Sequence, residues 1–165
     1  MKMPSLLALL AALACAVPAS AAVPEPPETS ARARCLADRL DAIDAVAASL
    51  GRTSELIREN LRDPPDPVPR LLTMIGSVAY DVRARVLHRG ITSPAELEGR
   101  LVYSSAGLDQ LRDHVTDLIH HLDRLGQPGP SQAAAEMAQE IEAVRKLIPA
   151  DEPPRGCPVV ASSGP

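Results

Sequence analysis

The chain has 165 residues, with 17 Lys plus Arg against 21 Asp plus Glu and a formal net charge of −4 at pH 7. A mildly acidic surface is not the electrostatic footprint of a protein that grips nucleic acid or an anionic membrane. Trp and Phe are absent and Tyr80 and Tyr103 are the two aromatic residues, so the core has to come from Leu, Ile, Val, Ala and Met. That set suits helix-on-helix packing better than a sandwich of aromatic and β-branched strands.

Residues 1–22 read as a secretory signal peptide. Lys2 supplies the basic start, Leu6 to Leu13 the apolar run, and Ala19, Ser20, Ala21 and Ala22 the small residues of a cleavage site after Ala21 or Ala22. The apolar run is too short to remain as a membrane-spanning helix, and no other segment is apolar enough to be a transmembrane segment. A rival reading takes Ala12-Leu13-Ala14-Cys15 as a lipobox, making Cys15 a lipid-anchor point, although Ala12 stands where that pattern has Leu. Residues 23–29, rich in Pro and Glu, are expected to be a disordered linker. Once the signal is removed only Cys35 and Cys157 remain, one near each end. A single disulfide between them implies an oxidising compartment, so the expected location is secreted or periplasmic. The sole Asn, Asn60, is followed by Leu61 and Arg62 and offers no N-glycosylation site.

Within 30–148 the apolar spacing predicts four helices. Leu36, Leu40, Ile43, Ala47, Leu50, Ser54, Ile57 and Leu61 recur at steps of four and three, which predicts a long first helix over 30–62, bent near Gly51 and stopped by Asp63-Pro64-Pro65. Asp66 is expected to cap a second helix that has Pro67 in its first turn. Its buried face is Leu71, Leu72, Ile75, Val78, Ala79, Val82 and Val86, and His88, Arg89 and Gly90 end it. Ser93-Pro94-Ala95-Glu96 has the pattern of a capping box that opens a third helix. Leu97, Leu101, Leu108, Leu111, Val115, Leu118, Leu122 and Leu125 carry its stripe, interrupted by Ser104 and Ser105. Gly126-Gln127-Pro128-Gly129-Pro130 reads as a break, and Ala134, Met137, Ile141, Val144 and Ile148 mark a last helix over 131–148.

Connections this short make each helix fold back beside its predecessor. The expected fold is therefore all-α: an up-down-up-down four-helix bundle stapled by one terminal disulfide, Cys35 to Cys157. The fourth helix should stop well short of the level of Cys35, so the proline-rich tail, 149–165, has to run back along the bundle to reach it.

Chemical motifs are scarce. His114, Asp117, His120 and His121 invite a zinc reading, but His114 and His121 stand seven residues apart, about 10.5 Å along a helix, too far to share one ion. Asp109, Asp113 and Asp117 read as a hydrated acidic face, because helical spacing does not wrap oxygens around calcium. Haem attachment through Cys-x-x-Cys-His is absent, and Met74 and Met137 read as packing. Ser104 and Ser105 lie inside a helix with no nucleophile elbow. The expectation is no metal, no cofactor and no catalytic residue.

One constellation stands out as a candidate binding waist. Folding back the hairpins puts Gly51, Gly76 and Gly107 at nearly one level, with Ser77, Ser104 and Ser105 beside them and Tyr80 and Tyr103 opposite each other across the second hairpin. Each helix-interior glycine costs about 1 kcal/mol relative to alanine and needs a reason. Close packing is one; room for a ligand is the other.

LADRLDAID in the first helix and GITSPAELE ahead of the third resemble the all-helical secreted chorismate mutases. The resemblance implies an enzyme that holds a dicarboxylate inside the bundle with arginines and a lysine, here in degenerate form. No Lys lies in the first three helices, Pro69 stands near the expected Arg-Glu pair of the second, and Ala37 replaces the Arg of the first. The discriminating feature is whether Arg39, Arg52, Arg58 and Arg70 converge inside the bundle. The end-to-end cysteine pair is similar to that of helical cytokines, which would imply a signalling ligand, but those bundles run up-up-down-down and need long crossovers. The leading expectation is a secreted or periplasmic binding protein without catalysis, whose partner is an unknown protein or small ligand and not nucleic acid, with no transmembrane segment and a lipid anchor at Cys15 as the alternative.

Overall fold

A computed structural model describes residues 27–87, 93–148 and 157, with side chains from 31 onward. Four α-helices make up the described residues, with no strand among them: α1 (Pro27–Asn60), α2 (Val68–Val86), α3 (Pro94–Arg124) and α4 (Pro128–Arg145). The expected signal peptide and tail lie outside the described residues, Cys157 apart.

Helix boundaries obey proline chemistry more closely than they obey the apolar spacing. α1 begins at Pro27, inside the stretch expected as linker, and α4 begins at Pro128, inside the stretch expected as a break. Proline is tolerated in a first turn because its missing N–H would have no intrahelical acceptor there. The break after α3 therefore shrinks to Leu125, Gly126 and Gln127, with Gly126 at φ 64°, the left-handed geometry that suits glycine. Ser93 does stand at the start of α3, but its side chain makes no capping bond; its carbonyl accepts from the Leu97 N–H at 3.1 Å. Asp66 does not cap α2 either. Pro67 occupies that position after a cis peptide bond, and the Asp66 carboxylate pairs with Arg70 one turn on, at 3.1 Å.

The apolar stripes meet in one core. Leu36, Leu40, Ile43 and Leu50 of α1 are fully buried, as are Leu72 and Ile75 of α2, Leu108, Leu111 and Leu118 of α3, and Ala134 and Ile141 of α4. Ser54 and Ser104, both at stripe positions, are fully buried too. Leu125, at the end of the α3 stripe, is instead exposed.

Pairs across the hairpins give the directions. Asp44 meets Arg83 at 3.0 Å and Arg58 reaches Thr73, so α1 and α2 are antiparallel. Arg145 meets Asp109 at 2.7 Å while Ser131 donates to Asp123, so α3 and α4 are antiparallel as well. The result is the up-down-up-down bundle, with a seven-residue link between α1 and α2 and a three-residue link between α3 and α4. The up-up-down-down order of the cytokine analogy is not the one found.

The bundle is lopsided. α1 and α3 pack against each other and against both short helices, whereas α2 and α4 do not touch. Because Arg83 sits level with Asp44 and Arg145 with Asp109, both short helices end about midway along the long ones. The lower half is thus the α1–α3 pair, joined by the half-buried contact of Arg32 with Glu98, Nε to Oε1 2.8 Å. Cys35 lies there and is bonded to Cys157, their Cα atoms 5.7 Å apart. Cys157 is itself buried. The disulfide therefore brings the far end of the chain to the one level that neither short helix reaches.

Candidate functional site

A groove of about 550 Å³ runs along the outer seam between α1 and α2. Its floor is built of small residues: Ala47 and Ala48 stand four and three residues before Gly51 on α1, and Gly76 three before Ala79 on α2, so they fall on one face of each helix. Ser77, Tyr80 and Thr73 add polar groups, and Arg52, Arg58, Arg83 and Glu55 supply charge. Of the ten residues predicted for a waist or staple, Gly51, Gly76, Ser77 and Tyr80 line this groove.

The three glycines have different reasons to be glycine. A Cβ at Gly107 would lie 2.4 Å from Val82 Cγ2, so close approach of α3 to α2 requires its absence. At Gly51 a Cβ would meet nothing within 4 Å, and at Gly76 only Ser54 Oγ at 3.8 Å, an ordinary contact. Packing explains Gly107 and leaves Gly51 and Gly76 unexplained. Those two are the glycines that open onto the groove.

The serines and tyrosines of the expected waist are also divided. Ser104 is fully buried and its hydroxyl has no hydrogen-bond partner among the described residues, while Ser105 donates to the Val102 carbonyl at 2.7 Å. Tyr103 lies under the Arg85 guanidinium, 4.1 Å from its ring centroid. On α2, Arg85 is five residues from Tyr80, a turn of about 140° around the helix axis, so Tyr80 and the Tyr103 stack belong to different sides of α2. Tyr80 is the most exposed large apolar side chain described, at 74%.

Ion pairing sets the charge of the groove. Arg58 Nη1 donates to both Glu55 carboxylate oxygens, at 2.7 and 2.8 Å, and Nη2 reaches Thr73 Oγ1 at 3.5 Å. Arg83 Nε donates to Asp44 at 3.0 Å. Arg52 has no ion-pair partner among the described residues. The four arginines of the enzyme analogy do not gather inside the bundle: Arg52 and Arg58 face this groove, Arg70 is held on the surface by Asp66, and Arg39 lies thirteen residues before Arg52. Burial lowers the Arg39 guanidinium below the ordinary arginine value.

Among the α3 histidines, His121 makes local bonds. His121 Nδ1 lies 2.8 Å from the Asp117 carbonyl and its Nε2 lies 2.8 Å from Arg124 Nη2. A carbonyl only accepts and a guanidinium only donates, so Nδ1 carries the proton and both ring nitrogens are used. Asp109 and Asp113 pair with Arg145 and Arg112. Among the described residues no cluster of three His, Cys, Asp or Glu side chains has the geometry to hold a metal ion, and no helix is long and apolar enough to cross a membrane.

The groove is only half visible in the sequence. Its glycines and Tyr80 stand out there, whereas Arg83 and the alanines of its floor do not. Their signal is the run of small residues at steps of three and four beside Arg52, which reads equally well as close helix packing. No family of known proteins, no curated protein and no solved structure matches this chain.

Proposed function

We propose that this is an exported binding protein, secreted or periplasmic and without catalysis, that holds an unknown protein or small ligand in the groove between α1 and α2. The observation that carries the proposal is the pair of glycines, Gly51 and Gly76, which neither helix packing nor backbone geometry requires and which widen the groove. Two residues that each cost helix stability at one surface seam are accounted for by an occupant of that seam. The groove's volume is within the range of small-ligand sites. Export is supported by the Cys35–Cys157 bond, which persists in oxidising compartments, and by the signal-like residues 1–22.

A photoreactive side chain placed at Ser77, with a second variant carrying it at Glu140 on the far side of the bundle, tests the reading in the exporting cell. Ser77 should give a discrete crosslinked product that Gly51→Leu suppresses, and Glu140 should not. Equal labelling from both positions, or labelling at Ser77 that ignores Gly51→Leu, would remove the groove from consideration. Intact mass of the same material should show a start at Ala22 or Val23; a diacylglyceryl adduct on Cys15 would establish the lipid-anchored form instead.

A further inference from the structure

The charges around the groove narrow what fits it, given that it is a binding site. On a chain of net charge −4, the groove lining carries three guanidinium groups and one carboxylate. Two of the three are already matched where they stand: Arg58 by Glu55, both of whose carboxylate oxygens are engaged, and Arg83 by Asp44. Arg52 is left as the one groove arginine without a carboxylate among the described residues. The balance of the site is a single positive charge. Arg52 is exposed, so with a neutral ligand its charge is left to water, whereas a single anionic group can pair with it without competing for Arg58 or Arg83.

The rest of the lining is apolar or small. Ala47, Gly51, Gly76 and Ala79 form a floor without projecting side chains, and the Tyr80 ring stands beside it, largely in water. An exposed ring beside a floor without projecting side chains favours a flat apolar body, since aromatic faces prefer offset stacking and the part-exposed Gly51 and Gly76 gain cover, Ala47 and Ala79 being buried already. We infer that the groove takes an amphiphilic organic monoanion, a flat apolar body carrying one carboxylate or sulfonate, with the body over Gly51 and Gly76 against Tyr80 and the anionic group on Arg52. A guanidinium presents a planar fork to such a group, which gives direction as well as charge.

Fluorescence titration of the disulfide-bonded protein with anilinonaphthalene sulfonate, and with its uncharged relative N-phenylnaphthylamine, tests this inference apart from the groove itself. The sulfonate should saturate at one site and bind more tightly than the neutral dye, and added salt should weaken only the sulfonate. Arg52→Gln should weaken the sulfonate about tenfold and leave the neutral dye almost unchanged. Gly51→Leu, whose side chain enters open space, should abolish both while circular dichroism and the urea midpoint report an intact bundle. Binding of the two dyes with equal affinity, blocked by Gly51→Leu but indifferent to Arg52→Gln, would overturn the monoanion and leave the groove standing. Binding unaffected by Gly51→Leu would overturn both, and failure of the sulfonate to bind at all would overturn the monoanion, the crosslinking then deciding the groove.

Discussion

Alanine substitution at Gly51, Gly76 and Gly107 puts the assignment of the groove to a thermodynamic test that needs no ligand. In a helix interior Gly→Ala is worth about 1 kcal/mol of stabilisation, because alanine loses less backbone entropy on folding. At Gly51 the new methyl meets nothing within 4 Å, so that gain should appear almost whole. At Gly76 the nearest atom is Ser54 Oγ at 3.8 Å, close to an optimal contact, and the gain should be similar. At Gly107 the methyl would lie 2.4 Å from Val82 Cγ2, roughly 1 Å inside the distance at which carbon atoms attract. Val82 is only 3% exposed and, being β-branched on a helix, is confined to one main rotamer, so the clash has to be relieved by moving helices. Overpacking of that kind costs about 1–3 kcal/mol. After subtracting the propensity gain, Gly107→Ala should lie between neutral and about 2 kcal/mol destabilising. Urea unfolding monitored by far-ultraviolet circular dichroism should therefore separate Gly51→Ala from Gly107→Ala by about 1–3 kcal/mol, with Gly51→Ala the more stable. Combining Gly107→Ala with Val82→Ala removes the opposed methyl, and the pair should show a favourable coupling of at least about 1 kcal/mol. If Gly107→Ala stabilised the bundle as much as Gly51→Ala does, the distinction between a packing glycine and a groove glycine would be lost, and with it the main support for the site.

Buried groups give two further expected outcomes. Ser104→Ala should stabilise the protein by about 1 kcal/mol, because its fully buried hydroxyl has no partner among the described residues and alanine is the better helix former; a loss of stability would mean that the hydroxyl is bonded in solution. Cys157→Ser should lower stability by about 5 kcal/mol on the chain-entropy account of a bridge closing 122 residues, and a strong reductant should do the same to the wild type without altering the variant. Two free thiols in unfolded, unreduced mature protein would remove the staple altogether.

What the sequence by itself determined is the periodic part of the molecule. Leu36, Leu40 and Ile43, or Met137 and Ile141, could point to a common core only on helices, and the short links between those helices left the antiparallel order as the one solution. The cysteine pair was legible by counting: with Cys15 assigned to the expected signal peptide, Cys35 and Cys157 were the two left to pair. Boundaries were less legible, since Pro27 and Pro128 are as compatible with a first helical turn as with a stop, and the packing of the residues after each proline decides between them. The candidate site was legible only as a level along the bundle axis. Residue counting puts Gly51, Gly76 and Gly107 at similar heights but does not report the angle at which each faces its neighbour, and that angle is set by how the long helices pack. In the packed bundle a Cβ at Gly107 would run into Val82, whereas one at Gly51 would meet nothing within 4 Å and one at Gly76 only the Ser54 hydroxyl at 3.8 Å. Tertiary packing alone decided which glycines are closed by a neighbour and which stay open.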